Sequence, residues 1–195
     1  MKEQNGRFSA AVLAGGLSSR MGRDKAALPF DGTTLLAFQV EKLRALGIKD
    51  IMISGSEQQI LGTRPIPDVY PRRGPLSGIH ACLAAAKESA VLFLGVDTPL
   101  IPLEALQTLL SAHEKGVTLL RHGNRTEPLF GVYDCALAPL CEEILRTEHT
   151  GVWQLLNRTT VKTLPFDGDE TVFTNGNTPE EYARLLQLWE RNERP

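Results

Sequence analysis

The chain has 195 residues, 42% of them hydrophobic and 23% charged, with a formal net charge of −2. That length can bury a core without disulfides or metals, and the near-neutral balance with no basic run argues against non-specific nucleic-acid binding. Cys82, Cys135 and Cys141 are odd in number and widely spaced, which argues against a disulfide framework.

With no C-x-x-C pair and with His80, His113, His122 and His149 scattered, a zinc site is not expected. Residues 1–8 are polar, unlike a signal peptide, and apolar runs such as 90–96 are far too short to cross a bilayer. The expectation is a cytoplasmic protein, one domain over residues 1–195, with neither nucleic acid nor membrane as a partner.

Residues 8–13 read as a buried strand. Thr33 or Thr34 caps a helix from 35 to about 46, which Gly47 stops, and 51–53 forms the next strand. This is one βαβ unit, implying parallel pairing. Residues 58–71, with three prolines, read as irregular. Pro75 opens a helix to about 87, and the continuous apolar run 90–96 is a central strand covered on both faces. Pro102 opens another helix, ended by Gly116. Residues 117–120 and 128–133 flank a turn at Gly123-Asn124, which predicts local antiparallel pairing. Helices over 136–146 and 152–156, a strand over 160–164 and a last helix from Pro179 to about Trp189, capped by Thr178, complete the chain. The alternation predicts an α/β fold with a mostly parallel sheet.

The most informative stretch is Leu13-Ala14-Gly15-Gly16-Leu17-Ser18-Ser19-Arg20-Met21-Gly22-Arg23-Asp24-Lys25. It follows the first strand and joins three glycines and two serines to Arg20, Arg23 and Lys25. Such a loop exposes backbone N–H groups beside fixed cations, a combination suited to polyphosphate. It is neither G-x-x-x-x-G-K-[ST] nor G-x-G-x-x-G. The two adjacent glycines alone fit a plain strand-to-helix turn equally well. The whole stretch is more specific.

In an open α/β sheet, ligands sit beyond the carboxyl ends of the strands. The first strand delivers residues 13–25 there, the second delivers Ser54, and the 90–96 strand delivers Asp97. A carboxylate at such a strand end suits a hard divalent cation; its ordinary alternative is turn or cap chemistry before the Pro102 helix. Gly74-Pro75-Leu76-Ser77-Gly78 lies at a helix start, where free N–H groups point outward, or is simply a loop-to-helix junction. Asn175 and Asn177, two apart, share a side if extended; turn and capping chemistry also explain them.

Leu-Ala-Gly-Gly-x-Ser-x-Arg-Met-Gly-x-Asp-Lys resembles the N-terminal signature of the molybdenum cofactor guanylyltransferases, the MobA-like nucleotidyltransferases. Arg73-Gly74-Pro75-Leu76-Ser77-Gly78, Val96-Asp97-Thr98-Pro99 and Asn175-Gly176-Asn177-Thr178-Pro179 resemble the same family, in family order. The resemblance implies a three-layer αβα, Rossmann-like sheet with one antiparallel strand, placed here in 117–133. It implies transfer of GMP from GTP to molybdopterin, forming molybdopterin guanine dinucleotide and pyrophosphate with Mg²⁺. It implies Arg20, Lys25 and Asp97 as catalytic residues, with Asp97 on the metal. Leu13, Ala14, Gly15, Lys25, Ser54, Asp68, Gly74, Gly78 and Asp97 would meet the nucleotide, and Asn175 and Asn177 would lie on the pterin side. Cofactor-donating or molybdoenzyme-maturation proteins would be partners.

Ser54 stands where the bacterial family often has asparagine. Arg72 and Arg73 are candidates for the pterin phosphate or for solvent, and Glu127 receives no role. Two other readings remain open. One is a relative using CTP or a sugar-phosphate acceptor, although such relatives usually open on Ala-Ala-Gly and end on Pro-Lys. The other is a non-catalytic module that binds a nucleotide or cofactor.

Overall fold

The structure is a computed structural model and describes residues 7–15, 24–56, 58–123 and 125–192. Arg20, Arg23, the remainder of 16–23 and the turn residue Asn124 lie outside the described residues. In chain order the strands are Phe8–Leu13 (β1), Pro29–Phe30 (β2), Thr33–Thr34 (β3), Ile51–Ser54 (β4), Thr63–Ile66 (β5), Ala90–Gly95 (β6), Val117–His122 (β7), Arg125–Asp134 (β8) and Val161–Pro165 (β9). The helices are Leu35–Ala45 (α1), Pro75–Ala85 (α2), Leu103–Ala112 (α3), Ala138–Leu145 (α4), Val152–Leu156 (α5) and Pro179–Asn192 (α6).

Among the described residues, seven strands form one sheet in the order β5-β4-β1-β6-β8-β7-β9, and β2 pairs with β3 as a small hairpin. β8 runs against β6 and β7, and the other pairings of the large sheet are parallel. This is the three-layer, mostly parallel sheet with one reversed strand, in the region expected for it.

Side chains alternate along each strand, so each central strand feeds two cores. Ala10, Val12, Leu92 and Leu94 pack with α1, α3 and α6. Ala11, Leu13, Val91 and Phe93 pack with α2, α4 and α5. β1 and β6 are buried along their whole length, as strands covered by helices on both faces must be.

Several elements differ from the sequence expectation, among them the longer β7 and β8 and the short β2–β3 hairpin. The segment read as irregular contains β5, an edge strand that among the described residues pairs with β4 alone. Its Pro65 removes the usual strand pattern and is tolerated because the outer side of an edge needs no partner. α3 ends at Ala112 rather than at Gly116; Gly116 instead turns with φ +73° into β7. The expected 136–146 helix begins with a single 3₁₀ turn at Cys135–Leu137. α6 runs to Asn192. Its start is a reciprocal cap: the Glu181 amide donates to Thr178 Oγ1 at 3.2 Å, and the Glu181 carboxylate accepts from the Thr178 amide at 3.1 Å.

From β1 the chain moves to β4 and β5 on one side, then returns to β6 on the other. The carboxyl ends of β1 and β6 therefore border the crevice where open α/β sheets bind ligands. No helix among the described residues is long and apolar enough to cross a membrane.

Candidate active site

Leu13, the last residue of β1, pairs in register with Gly95, the last of β6, and with Ser54, the last of β4. The backbone stays knitted past the strand ends. The Val96 amide donates to the Leu13 carbonyl at 3.1 Å, and the Ala14 amide donates to the Ser54 carbonyl at 2.8 Å. Gly15 then passes directly over Gly55, whose φ is +77°. A Cβ on Gly55 would stand 2.3 Å from the Gly15 Cα, so this crossing requires glycine. The sequence reading singled out Gly15 but not Gly55; only the crossing gives Gly55 its significance.

Lys25 begins a 3₁₀ turn, Lys25–Ala27, capped by Asp24, whose Oδ1 accepts from the Ala26 amide at 3.0 Å. Asp24 Oδ2 also accepts from Gln58 Nε2 at 3.0 Å. With its start fixed in this way, Lys25 extends over the crevice. Its Nζ lies 3.3 Å from Asp97 Oδ2 and also donates to Asn177 Oδ1. The Gly176 amide donates to the Asp97 carbonyl at 3.1 Å, joining the last of the four motifs to the third. Lys25, Asp97 and Asn177, remote in sequence, thus share one point in space. Lys25 and Asp97 retain 19% and 24% side-chain exposure, so both remain reachable by a ligand.

Asp97 uses Oδ2 for Lys25. Its Oδ1 lies over Gly95, where a Cβ would approach to 2.9 Å, so glycine leaves the cradle open. Among the described residues there is no group of three or more His, Cys, Asp or Glu side chains able to hold a metal by themselves. One carboxylate fits a hard cation such as Mg²⁺ that retains water and takes its other ligands from substrate phosphate.

A second cluster stands beside the first. Ser54 Oγ donates to Asp68 Oδ1 at 3.2 Å. Gly78, in the first turn of α2, lies against both groups' neighbours: a Cβ there would meet Ser54 Oγ at 2.5 Å and Leu13 Cδ2 at 3.2 Å. Gly74 is the N-cap of α2 at φ +77°, where no side chain caps the free amides. Leu13, Ala14, Gly15, Ser54, Asp68 and Gly78 thus stand together at the carboxyl ends of β1 and β4, with Gly74 at the start of the helix that carries Gly78, while Asn177 meets Lys25 and Asn175 precedes the Gly176 amide bound to Asp97.

Asn175 lines a cavity of about 420 Å³ together with Phe173, Arg125 and Arg184. The sequence reading named neither arginine, because they sit in segments without a motif. Arg73 is drawn away from the crevice: its guanidinium donates to the Leu145 carbonyl at 2.8 Å and to the Thr147 carbonyl, closing the end of α4. Arg72 is exposed at φ +64°. Glu127 pairs with Arg125. The thiols of Cys82 and Cys141 are both pushed up to about 12 by burial and are chemically quiet.

The chain is similar to known proteins over most of its length. A probable molybdenum cofactor guanylyltransferase of Carboxydothermus hydrogenoformans is 30% identical over 194 residues, covering 95% of this chain and 98% of that protein. Another, from Pelotomaculum thermopropionicum, is 32% identical and covers 94% of each. The crystal structure of the molybdopterin-guanine dinucleotide biosynthesis protein A of Archaeoglobus fulgidus superposes with a TM-score of 0.78 at 23% identity, over 94% of this chain and 99% of that one. A Mycobacterium tuberculosis H37Rv protein crystallised in complex with manganese superposes with a TM-score of 0.73 at 19% identity, over 93% and 98% of the two chains. The family model of the MobA-like NTP transferase domain matches residues 10–163, from the first core strand to the last. With the glycine crossing, the strand-end carboxylate and the lysine between them all inside that span, the chain belongs to the MobA-like NTP transferase family.

Proposed function

We propose that the protein transfers GMP from GTP to molybdopterin, releasing pyrophosphate, and that residues 1–195 act as one cytoplasmic domain in doing so. The observation that carries this reading is the convergence of Lys25, Asp97 and Asn177 beyond β1 and β6, between a glycine-built flank and an arginine-containing cavity. A phosphate oxygen of the acceptor attacks the α-phosphorus. A new phosphorus–oxygen bond forms, the α–β bridging bond breaks, and its electron pair leaves with pyrophosphate.

Negative charge grows on the non-bridging and leaving oxygens, so preorganised positive charge is the main catalytic tool. Lys25, and by family resemblance Arg20, supply it. Asp97 would hold Mg²⁺, which would supply neutralisation of phosphate charge when bound. Gly15, Gly74 and Gly78 let the nucleotide approach the backbone, with Ser54 and Asp68 offering polar contacts to base or ribose. Asn175 and Asn177 face the acceptor, and the adjoining cavity has room for a bulky heterocycle. Proteins that donate the cofactor or mature molybdoenzymes are the expected partners.

The test is to incubate purified protein with molybdopterin, Mg²⁺ and each of the four NTPs in turn, measuring pyrophosphate and the dinucleotide by mass. GTP is expected to give both products. Equal use of CTP would remove the guanine assignment, and no transfer from any NTP would remove the catalytic one.

A further inference from the structure

The turn that carries Asp97 has no regular secondary structure, yet it is held from behind by α1. Gln39 and Lys42 stand three apart on that helix and so face one side. Gln39 is fully buried, and its Nε2 donates to the Gly95 carbonyl at 2.7 Å and to the Thr98 carbonyl at 3.1 Å. These two carbonyls flank Asp97. Lys42 Nζ donates to the Pro99 carbonyl at 2.7 Å and to the Ile101 carbonyl. One face of one helix therefore receives four carbonyls from the seven residues Gly95–Ile101.

The Gln39 Oε1 is buried without a partner among the described residues, a cost that a leucine at this position would avoid. Lys42 directs its hydrogen bonds to carbonyls rather than to a carboxylate, and burial pulls its pKa down to about 7. The carbonyls and the Phe38 ring 5.6 Å away oppose that loss of charge. Two costly polar residues aimed at one loop are explained by what that loop carries.

We propose that Gln39 and Lys42 are positioning residues that fix the Asp97 turn from behind and thereby set the site's affinity for a divalent ion bound with nucleotide. This rests on the reading of Asp97 as the ion's protein ligand. Neither residue touches substrate in this arrangement; they act through the backbone of residues 95–101.

The test is Mn²⁺ binding in the presence of a non-hydrolysable GTP analogue, followed by electron paramagnetic resonance, alongside thermal melting. Lys42→Met and Gln39→Met are expected to weaken Mn²⁺ binding about tenfold, the low end for residues that orient a metal ligand. Lys42→Arg, which keeps a donor, should fall between them and the wild type. Lys162→Met is the control. It also removes a lysine-to-carbonyl bond, at Ala112, but far from Asp97, so it should alter melting alone. Wild-type Mn²⁺ affinity in both methionine variants would overturn the proposal. Should those variants not fold, unchanged affinity in Lys42→Arg would overturn it equally. Absence of Mn²⁺ binding in the wild type with analogue present would instead remove the reading of Asp97, and the proposal with it.

Discussion

Lys25 and Asp97 form an ion pair that is still reachable by solvent, so its contribution to stability is modest, about 1 kcal/mol or less. Its value lies in placing a cation and a carboxylate at one point. Asp97→Ala and Lys25→Met should each lower the transfer rate by roughly 10²–10³ with melting nearly unchanged. Steady-state turnover and a melting curve check this, and turnover at the wild-type rate in Asp97→Ala would remove Asp97 from the catalytic machinery. Asp50 presents the opposite case, a structural carboxylate. Burial raises its pKa, but the Ser9 hydroxyl at 2.6 Å, the Lys87 amide at 3.0 Å and the Arg64 guanidinium at 2.7 Å outweigh that and hold it below the usual carboxylate range. A depressed carboxylate pKa contributes stability that is full above the unfolded value and lost as pH falls through the folded one. Asp50→Asn should therefore cost about 2 kcal/mol at neutral pH, the scale of hydrogen bonds to a charged group. The gap to wild type should close below about pH 4. Denaturation at pH 7 and pH 3 checks it, and a gap of constant size would contradict the linkage.

Among elements, the crossing of the β1 and β4 ends leaves no room for a side chain. At Gly55 both the φ of +77° and the 2.3 Å approach to the Gly15 backbone forbid a side chain. Gly55→Ala should cost about 1–3 kcal/mol in backbone strain and also displace Gly15 from the nucleotide flank. Denaturant unfolding and GTP calorimetry together read both effects. At Gly78 the added methyl meets the flexible Ser54 hydroxyl rather than backbone. Gly78→Ala should leave stability within about 1 kcal/mol but break the Ser54–Asp68 bond and weaken GTP binding. Unchanged GTP affinity in Gly78→Ala would remove that flank from the nucleotide site.

At the scale of the whole molecule, segments near residues 25, 97 and 177 meet only when the sheet and α6 are both in place. A ligand binding there stabilises the folded state alone. At 100 times its dissociation constant it adds about 2.7 kcal/mol, which for a chain of this size raises Tm by about 5–10 °C. Mg²⁺ with GTP should produce that shift, and CTP at the same concentration a clearly smaller one. An equal shift with CTP in a thermal scan would count against guanine selectivity.

Much of the fold follows from local pattern. The apolar runs of β1 and β6, Pro75 at the first position of α2 and the Thr178 cap of α6 are decided by neighbours in sequence. The placement of Asp97 just beyond a buried strand follows in the same way, because a strand's end fixes where the next side chain emerges. Other features depend on partners far along the chain. β5 exists because β4 offers it an edge, not because its Pro-containing sequence favours a strand. Arg73, a candidate for phosphate or solvent by sequence, is claimed by the end of α4, 72 residues away. Gly55 is required only where Gly15 crosses it, and Gln39 and Lys42 gain their meaning only against a turn more than fifty residues downstream. By itself the sequence determined which groups of chemistry the protein owns and on which strand ends they ride. Tertiary structure alone decided which of those groups meet, because backbone crossings and hydrogen bonds between distant segments are set by the packing of whole elements and leave no periodic trace in the residues that make them.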